Sequence, residues 1–205
     1  VTMYDFHDAR FSSPAVFRNR LSILKVLQPM LPSAGLVLEV ASGSGEHIVF
    51  LAERLPALDW QPSDPSPAAR ASIVAWTAAD RVINVRSPLD LDASRTPWPV
   101  ATADAILAIN MVHISPWAAT LGLLREAARL LPSGGLLYFY GPFIEAGKML
   151  APSNAAFDAD LRDRNVAWGL RDLAAVEAAA LESGLKVQTV LPMPANNLSV
   201  IVRRT

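Results

Sequence analysis

The stretch Leu36-Val37-Leu38-Glu39-Val40-Ala41-Ser42-Gly43-Ser44-Gly45-Glu46-His47 puts a carboxylate near the end of an apolar run and follows it with very small side chains. An apolar helical pattern starts directly afterwards. Small residues at alternate positions, Ala41, Gly43 and Gly45, let a ligand rest against bare backbone, and the next helix offers it unpaired N–H groups. A nucleoside-like ligand suits such a loop. A dinucleotide fingerprint would need a third glycine three residues after the second, and Ile48 stands there instead. The plainer alternative is a tight strand-to-helix turn that uses glycine for its positive φ.

Other polar residues follow apolar runs in the same way. Asp64 lies beyond the loop at about the distance where an acid meets ribose hydroxyls, roughly 20 residues on, though it can equally cap the helix opening at Ser66-Pro67. His113 follows the strongest apolar run, within Asn110-Met111-Val112-His113-Ile114. Histidine titrates near neutral pH, so His113 is the candidate general base, with a packed or capping histidine as the alternative. His47 opens the helix after the glycine loop, and Tyr140 ends another apolar run. The three histidines, His7, His47 and His113, are too scattered for a metal cluster.

These residues need a scaffold of strands and helices. Helical spacing covers residues 15–31, 46–54, 66–78, 117–131 and 170–183, while short apolar runs at 36–40, 58–61, 82–85, 103–109 and 136–140 read as strands. Residues 186–191 and 198–203 read as two consecutive strands. Alternating strands and helices predict a parallel sheet covered on both faces, and the final pair predicts an antiparallel hairpin at one edge. Ligands of such α/β sheets bind beyond the carboxyl ends of the strands. Residues 1–33 read as an N-terminal helical segment and 141–169 as an irregular, lid-like insertion over the site.

Composition narrows the function classes. The 205 residues are most simply a single domain. Apolar residues make up 52% and charged residues 18%, which excludes a disordered chain. A net charge of −1 gives no electrostatic footprint for nucleic acid. There is no cysteine, hence no disulfide framework or thiolate metal site. No apolar run approaches membrane-spanning length, and the first residues lack a signal-peptide pattern, so cytoplasmic residence is expected.

The acid and the Gly-x-Gly turn resemble the first motif of the class I S-adenosylmethionine-dependent methyltransferases. More narrowly, Arg18-Asn19, residues 39–47, Trp60-Gln61-Pro62-Ser63-Asp64, residues 110–117, Tyr140-Gly141-Pro142-Phe143, Ser153-Asn154, Phe157-Asp158, Leu161-Arg162 and residues 168–172 are similar to the DUF938 family, also called methyltransferase-like 26. One position departs: Phe17 stands where an acid is common. The resemblance implies a Rossmann-like α/β fold with a seven-stranded, mostly parallel sheet.

It also implies a site. Glu39, Ala41, Gly43 and Gly45 would hold the amino-acid part of the cofactor, Asp64 the ribose, Asp90 and Leu91 the adenine edge, with Asn110 and Met111 passing beneath the methionine. The plainer alternative for Met111 is core packing. Arg18 and Asn19 are candidates for the cofactor carboxylate or a substrate. With Tyr140, the lid residues Phe143, Asn154, Phe157, Arg162, Trp168 and Arg171 would wall a pocket for a small, planar or anionic methyl acceptor. The implied activity is methyl transfer to a small molecule with S-adenosylhomocysteine as product; a non-catalytic cofactor-binding protein is the alternative.

Overall fold

The computed structural model describes residues 9–205. Six strands form the main sheet in the order β2-β1-β3-β4-β8-β7. They are β1 (Gly35–Val40), β2 (Leu58–Ser63), β3 (Ala105–Ile109), β4 (Leu136–Gly141), β7 (Leu185–Met193) and β8 (Asn197–Arg204). β1 through β4 run parallel, while β8 is antiparallel to both of its neighbours. The closing hairpin therefore folds back, so that its second strand lies inside the sheet and its first at the edge.

A discontinuous edge stands where the sequence suggests a further strand at residues 82–85. Only isolated parallel bridges, Trp60 with Val85 and Ser63 with Leu89, extend the sheet beyond β2. Pro62 explains the break. Its nitrogen carries no proton for a ladder bond, and the Gln61 side chain donates to the Ser87 carbonyl in that stretch at 2.8 Å. The proline leaves β2 itself intact through Ser63, because the missing donor falls on the side away from β1.

Side-chain alternation splits the sheet into two faces. Leu38, Ile106, Leu137, Phe139 and Val200 pack in one cluster with residues of α4 (Trp117–Leu130) and α6 (Leu173–Glu182). Val37, Leu107, Tyr138, Tyr140 and Ile201 pack in the other with α1 (Pro14–Leu27) and α2 (Glu46–Arg54). Glu39, two residues from Val37, shares the α1–α2 face. Between β2 and the edge segment runs α3 (Pro67–Ala79), whose first turn is capped by the Ser66 hydroxyl.

The insertion is more regular than expected. It holds α5 (Pro152–Arg164) and a two-residue parallel pair, β5 (Phe143–Ile144) with β6 (Arg171–Asp172). Only Asn154 and Leu161 of α5 are buried, so no apolar stripe announces the helix. Asp172 caps α6 by accepting the Ala174 amide at 2.9 Å, which starts that helix later than its apolar pattern suggests. No helix of the described residues is long and apolar enough to cross a membrane, and the opening residues, with His7, lie outside the described residues.

Candidate active site

The glycine loop leaves β1 through three residues with positive φ, Ala41 at 58°, Gly43 at 56° and Gly45 at 89°. Each has a different surrounding. A Cβ on Gly43 would meet nothing within 4 Å, whereas a Cβ on Gly45 would stand 2.8 Å from the Ile73 backbone. Gly45 is thus needed for the close approach of α3, and Gly43 faces open space. Ala41 pays the left-handed strain that glycine avoids.

Glu39 is 2% exposed, and its Oε2 has no hydrogen-bond partner among the described residues. Burial is the main cause that raises its carboxyl to about 8, with the nearby Asp64 charge adding to it and a Ser42 hydrogen bond opposing it. Such a group is ready for a cation. Asp64 accepts the Gly43 amide at 3.0 Å through one oxygen and the Ser66 amide at 2.9 Å through the other. That side chain braces the glycine loop and ties down the entry to α3, while the cap of the helix itself is the Ser66 hydroxyl and not Asp64.

The next loop separates its carboxylates. Asp90 is largely exposed and pairs with Arg70 at 3.1 Å, while Leu91 is buried in the core. Asp92 accepts both the amide and the hydroxyl of Ser94, which hold its carboxyl below the usual range. Arg70 also donates to the Asp64 carbonyl at 2.8 Å, so α3 braces both acidic loops.

A cavity of about 690 Å³ opens at the carboxyl ends of β3 and β4. Asn110, Tyr140 and His113 line it from the sheet side, Arg18 and Asn19 from α1, and Asn154 and Phe157 from α5. Asn110 has φ 56°, and its amide bonds the Tyr140 carbonyl at 2.8 Å, turning the chain out of β3. Met111 packs in the core and does not line the cavity.

Asn19 is the hub of the α1 side. Its Oδ1 lies 2.7 Å from His47 Nε2, and an amide oxygen only accepts, so that nitrogen carries the proton. Burial and then the Arg20 charge lower His47 to about 4, so it is neutral at pH 7. Burial raises the pKa of the Tyr140 hydroxyl, and the neighbouring Asn19 side chain opposes that shift.

His113 differs from the expectation of a group titrating near neutrality. It is 3% exposed, and burial, then the Arg171 charge, lower it to about 4. Its ring meets Phe157 edge-on at 5.5 Å between centroids. Nδ1 has no partner among the described residues, and the ring lies so close to Gly141 that a Cβ there would stand 2.9 Å from Cε1.

Four expected lid residues lie outside this cavity. Arg171 spends its guanidinium on carbonyls, Val112 at 3.0 Å, Ala167 at 2.9 Å and Ser115, and so clamps the segment that carries His113. Arg162 is paired with Asp158 at 2.9 Å, and Trp168 stacks under Arg164 at 5.3 Å. Phe143 is buried in the core and borders a separate, smaller cavity together with Asn154. The aromatic and basic character of the lid is used for holding it together, which spacing along the chain does not reveal.

Sequence reasoning missed Glu46, which accepts the Ser13 amide at 2.6 Å and the Ser44 hydroxyl at 2.9 Å. It fastens the segment before α1 beside the glycine loop. It also missed Asn197, which lines the cavity from the hairpin turn; the Asn196-Asn197 pair signals a turn and nothing more. No cluster of metal-ligating side chains exists among the described residues.

The sheet order, the reversed penultimate strand and the glycine loop define a Rossmann-like methyltransferase fold. The chain belongs to the DUF938 family, described as proteins of unknown function, which it matches over residues 10–204. Solved structures share the fold. An O-methyltransferase family protein from Burkholderia thailandensis superposes with a TM-score of 0.78 at 18% identity, covering 93% of this chain and 57% of that one. An O-methyltransferase family 2 protein from Planctomyces limnophilus, in complex with apigenin, gives 0.74 at 18% identity, covering 94% and 62%. A methyltransferase of calicheamicin biosynthesis in its S-adenosylhomocysteine-bound form gives 0.68 at 17%, covering 93% and 57%. The chain thus spans little more than half the length of these proteins.

Proposed function

We propose that the chain is an S-adenosylmethionine-dependent methyltransferase acting on a small molecule. One observation carries this reading: a buried carboxylate oxygen on Glu39, without a partner among the described residues, stands at the root of a loop whose Gly43 faces open space. The residues fit the cofactor. Glu39 would receive its ammonium group, and the loop from Ala41 to Gly45 its amino-acid backbone. Asp64 would take the ribose, since each carboxylate oxygen keeps an acceptor site beyond the amide it already bonds. The adenine edge falls to the Leu91 backbone, because Asp90 is engaged by Arg70.

When bound, the cofactor supplies an electrophilic methyl group on a sulfonium. The protein's contribution is alignment, which lowers the barrier by holding reactants in line. Asn110, at the junction of loop and cavity, separates the two binding regions. The cavity volume lies within the range of small-molecule sites, about 300–1,000 Å³. His113 is neutral at pH 7 and accepts a proton only weakly at its lowered value, so an acceptor that is already a good nucleophile suits the site. The bound apigenin and S-adenosylhomocysteine of the similar structures support a small acceptor and this cofactor.

Calorimetry tests the reading. S-Adenosylmethionine and S-adenosylhomocysteine should bind and NAD should not. Release of S-adenosylhomocysteine in the presence of a metabolite pool separates an enzyme from a non-catalytic binder.

A further inference from the structure

The cavity has a one-sided charge character. Among the described residues its only ionised lining side chain is Arg18, and no carboxylate lines it. Arg18 is exposed, with no ion-pair partner among the described residues. The remaining polar lining is neutral: the side-chain amides, the Ser13, Ser153 and Tyr140 hydroxyls and the His113 imidazole.

The hydrogen-bond polarity of the α1 side points the same way. His47 Nε2 donates to Asn19 Oδ1, so Asn19 keeps its amide N–H groups as donors at this end of the cavity. The Tyr140 hydroxyl lines the same cavity and has a proton to donate. A ligand oxygen meeting Tyr140 can accept a hydrogen bond from it. Beside it, on the same helix as Asn19, the Arg18 guanidinium offers a planar fork that matches a carboxylate.

We propose that the methyl acceptor is a small molecule carrying a carboxylate, which Tyr140 and Arg18 receive at the α1 end of the cavity. The apolar ring of Phe157 at the α5 side, with Ile114 and Pro142, suits a compact unsaturated or cyclic body. Calling this molecule the acceptor rests on the methyltransferase reading. The anion site itself rests on the lining alone. The cofactor also bears a carboxylate, so the test must separate the two sources.

Benzoate and benzylamine share a ring and differ in charge. Each is titrated by calorimetry into the free protein and into protein saturated with S-adenosylhomocysteine. Benzoate should bind at least about tenfold more tightly than benzylamine in both states, a difference of about 1.4 kcal/mol. Arg18→Ala and Tyr140→Phe should each shrink that preference, and Arg18→Glu should reverse it. Arg18 is exposed and Tyr140→Phe conserves the ring, so folding survives.

Benzylamine binding as tightly as benzoate, no benzoate binding, or a preference unchanged in the variants would overturn the proposal. Displacement of benzoate by S-adenosylhomocysteine but not by methylthioadenosine, which lacks the amino-acid part, would assign the anion site to the cofactor and overturn the acceptor class. Failure of S-adenosylhomocysteine to bind would overturn the methyltransferase reading alone, and the free-protein titrations would still decide the anion site.

Discussion

The carboxylate of Asp64 accepts the backbone amide of Gly43 at 3.0 Å, joining the end of β2 to the glycine loop that leaves β1. One side chain thereby sets the shape of the loop and the place of the proposed sugar. Asp64→Ala should weaken S-adenosylhomocysteine binding at least about tenfold, about 1.4 kcal/mol, and hydrogen exchange at the Gly43 amide should speed up. Unchanged affinity by calorimetry would remove Asp64 from the site.

Gly43→Val tests the same loop by filling it. A branched side chain at φ 56° is strained, and its methyls would occupy the open space that Gly43 faces. Affinity for S-adenosylhomocysteine should fall by at least the same factor. A crystal of the variant with the compound still bound would show that the loop is misassigned.

The buried ionisable groups give a pH profile. Glu39 is raised to about 8, so the folded chain holds a proton that the unfolded chain has lost; its contribution is full below about 4.5 and is lost as pH rises to 8. His47 and His113 are lowered to about 4, so their contribution is full above about 6.5 and is lost as pH falls to 4. Between 4.5 and 6.5 the two histidines outweigh the one glutamate. Stability should therefore peak near pH 6.5, measured by urea unfolding, and Glu39→Gln should flatten the alkaline side, worth about 1–2 kcal/mol. A peak that stays put with an unchanged alkaline slope in that variant would refute the assignment.

Glu39 also couples the cofactor to protons. Pairing with an ammonium favours the carboxylate, so S-adenosylhomocysteine binding at pH 7 should release protons and tighten as pH rises toward 8. Calorimetry in two buffers of different ionisation enthalpy reads the number released. Equal heats in both, with wild type and Glu39→Gln alike, would count against a charged Glu39 in the complex.

Arg171 should act on stability. Its guanidinium bonds the Val112, Ser115 and Ala167 carbonyls, and hydrogen bonds from charged groups contribute about 1.5–3 kcal/mol. Arg171→Ala should lower stability by about 1–3 kcal/mol and loosen the His113 segment, seen as a broadened His113 ring resonance. Loss of benzoate binding without any loss of stability would return Arg171 to the cavity.

Much of the scaffold is legible in the sequence because its elements are amphipathic or wholly apolar. Residues 46–54 and 117–131 read as helices from their spacing, and the structure places them at Glu46–Arg54 and Trp117–Leu130. The break beyond β2 is harder to see, since it depends on which side of the strand Pro62 turns its nitrogen. α5 is hidden because its packing is mostly polar. Within the site, Glu39, Gly43 and Asp64 announce themselves through local order along the chain. The bonds from Arg171 to Val112 and Ser115 and from His47 to Asn19 do not, because each joins segments far apart in sequence.

The place of β8 between β4 and β7 bears on biosynthesis. Until residues 197–204 have left the ribosome, β4 has an open row of amides and carbonyls down the middle of the future sheet, and such a row invites pairing with other chains. Until that strand is made the nascent chain is exposed to misassembly along β4, and chains stalled short of Asn197 should depend on chaperones more than chains that extend past Arg204.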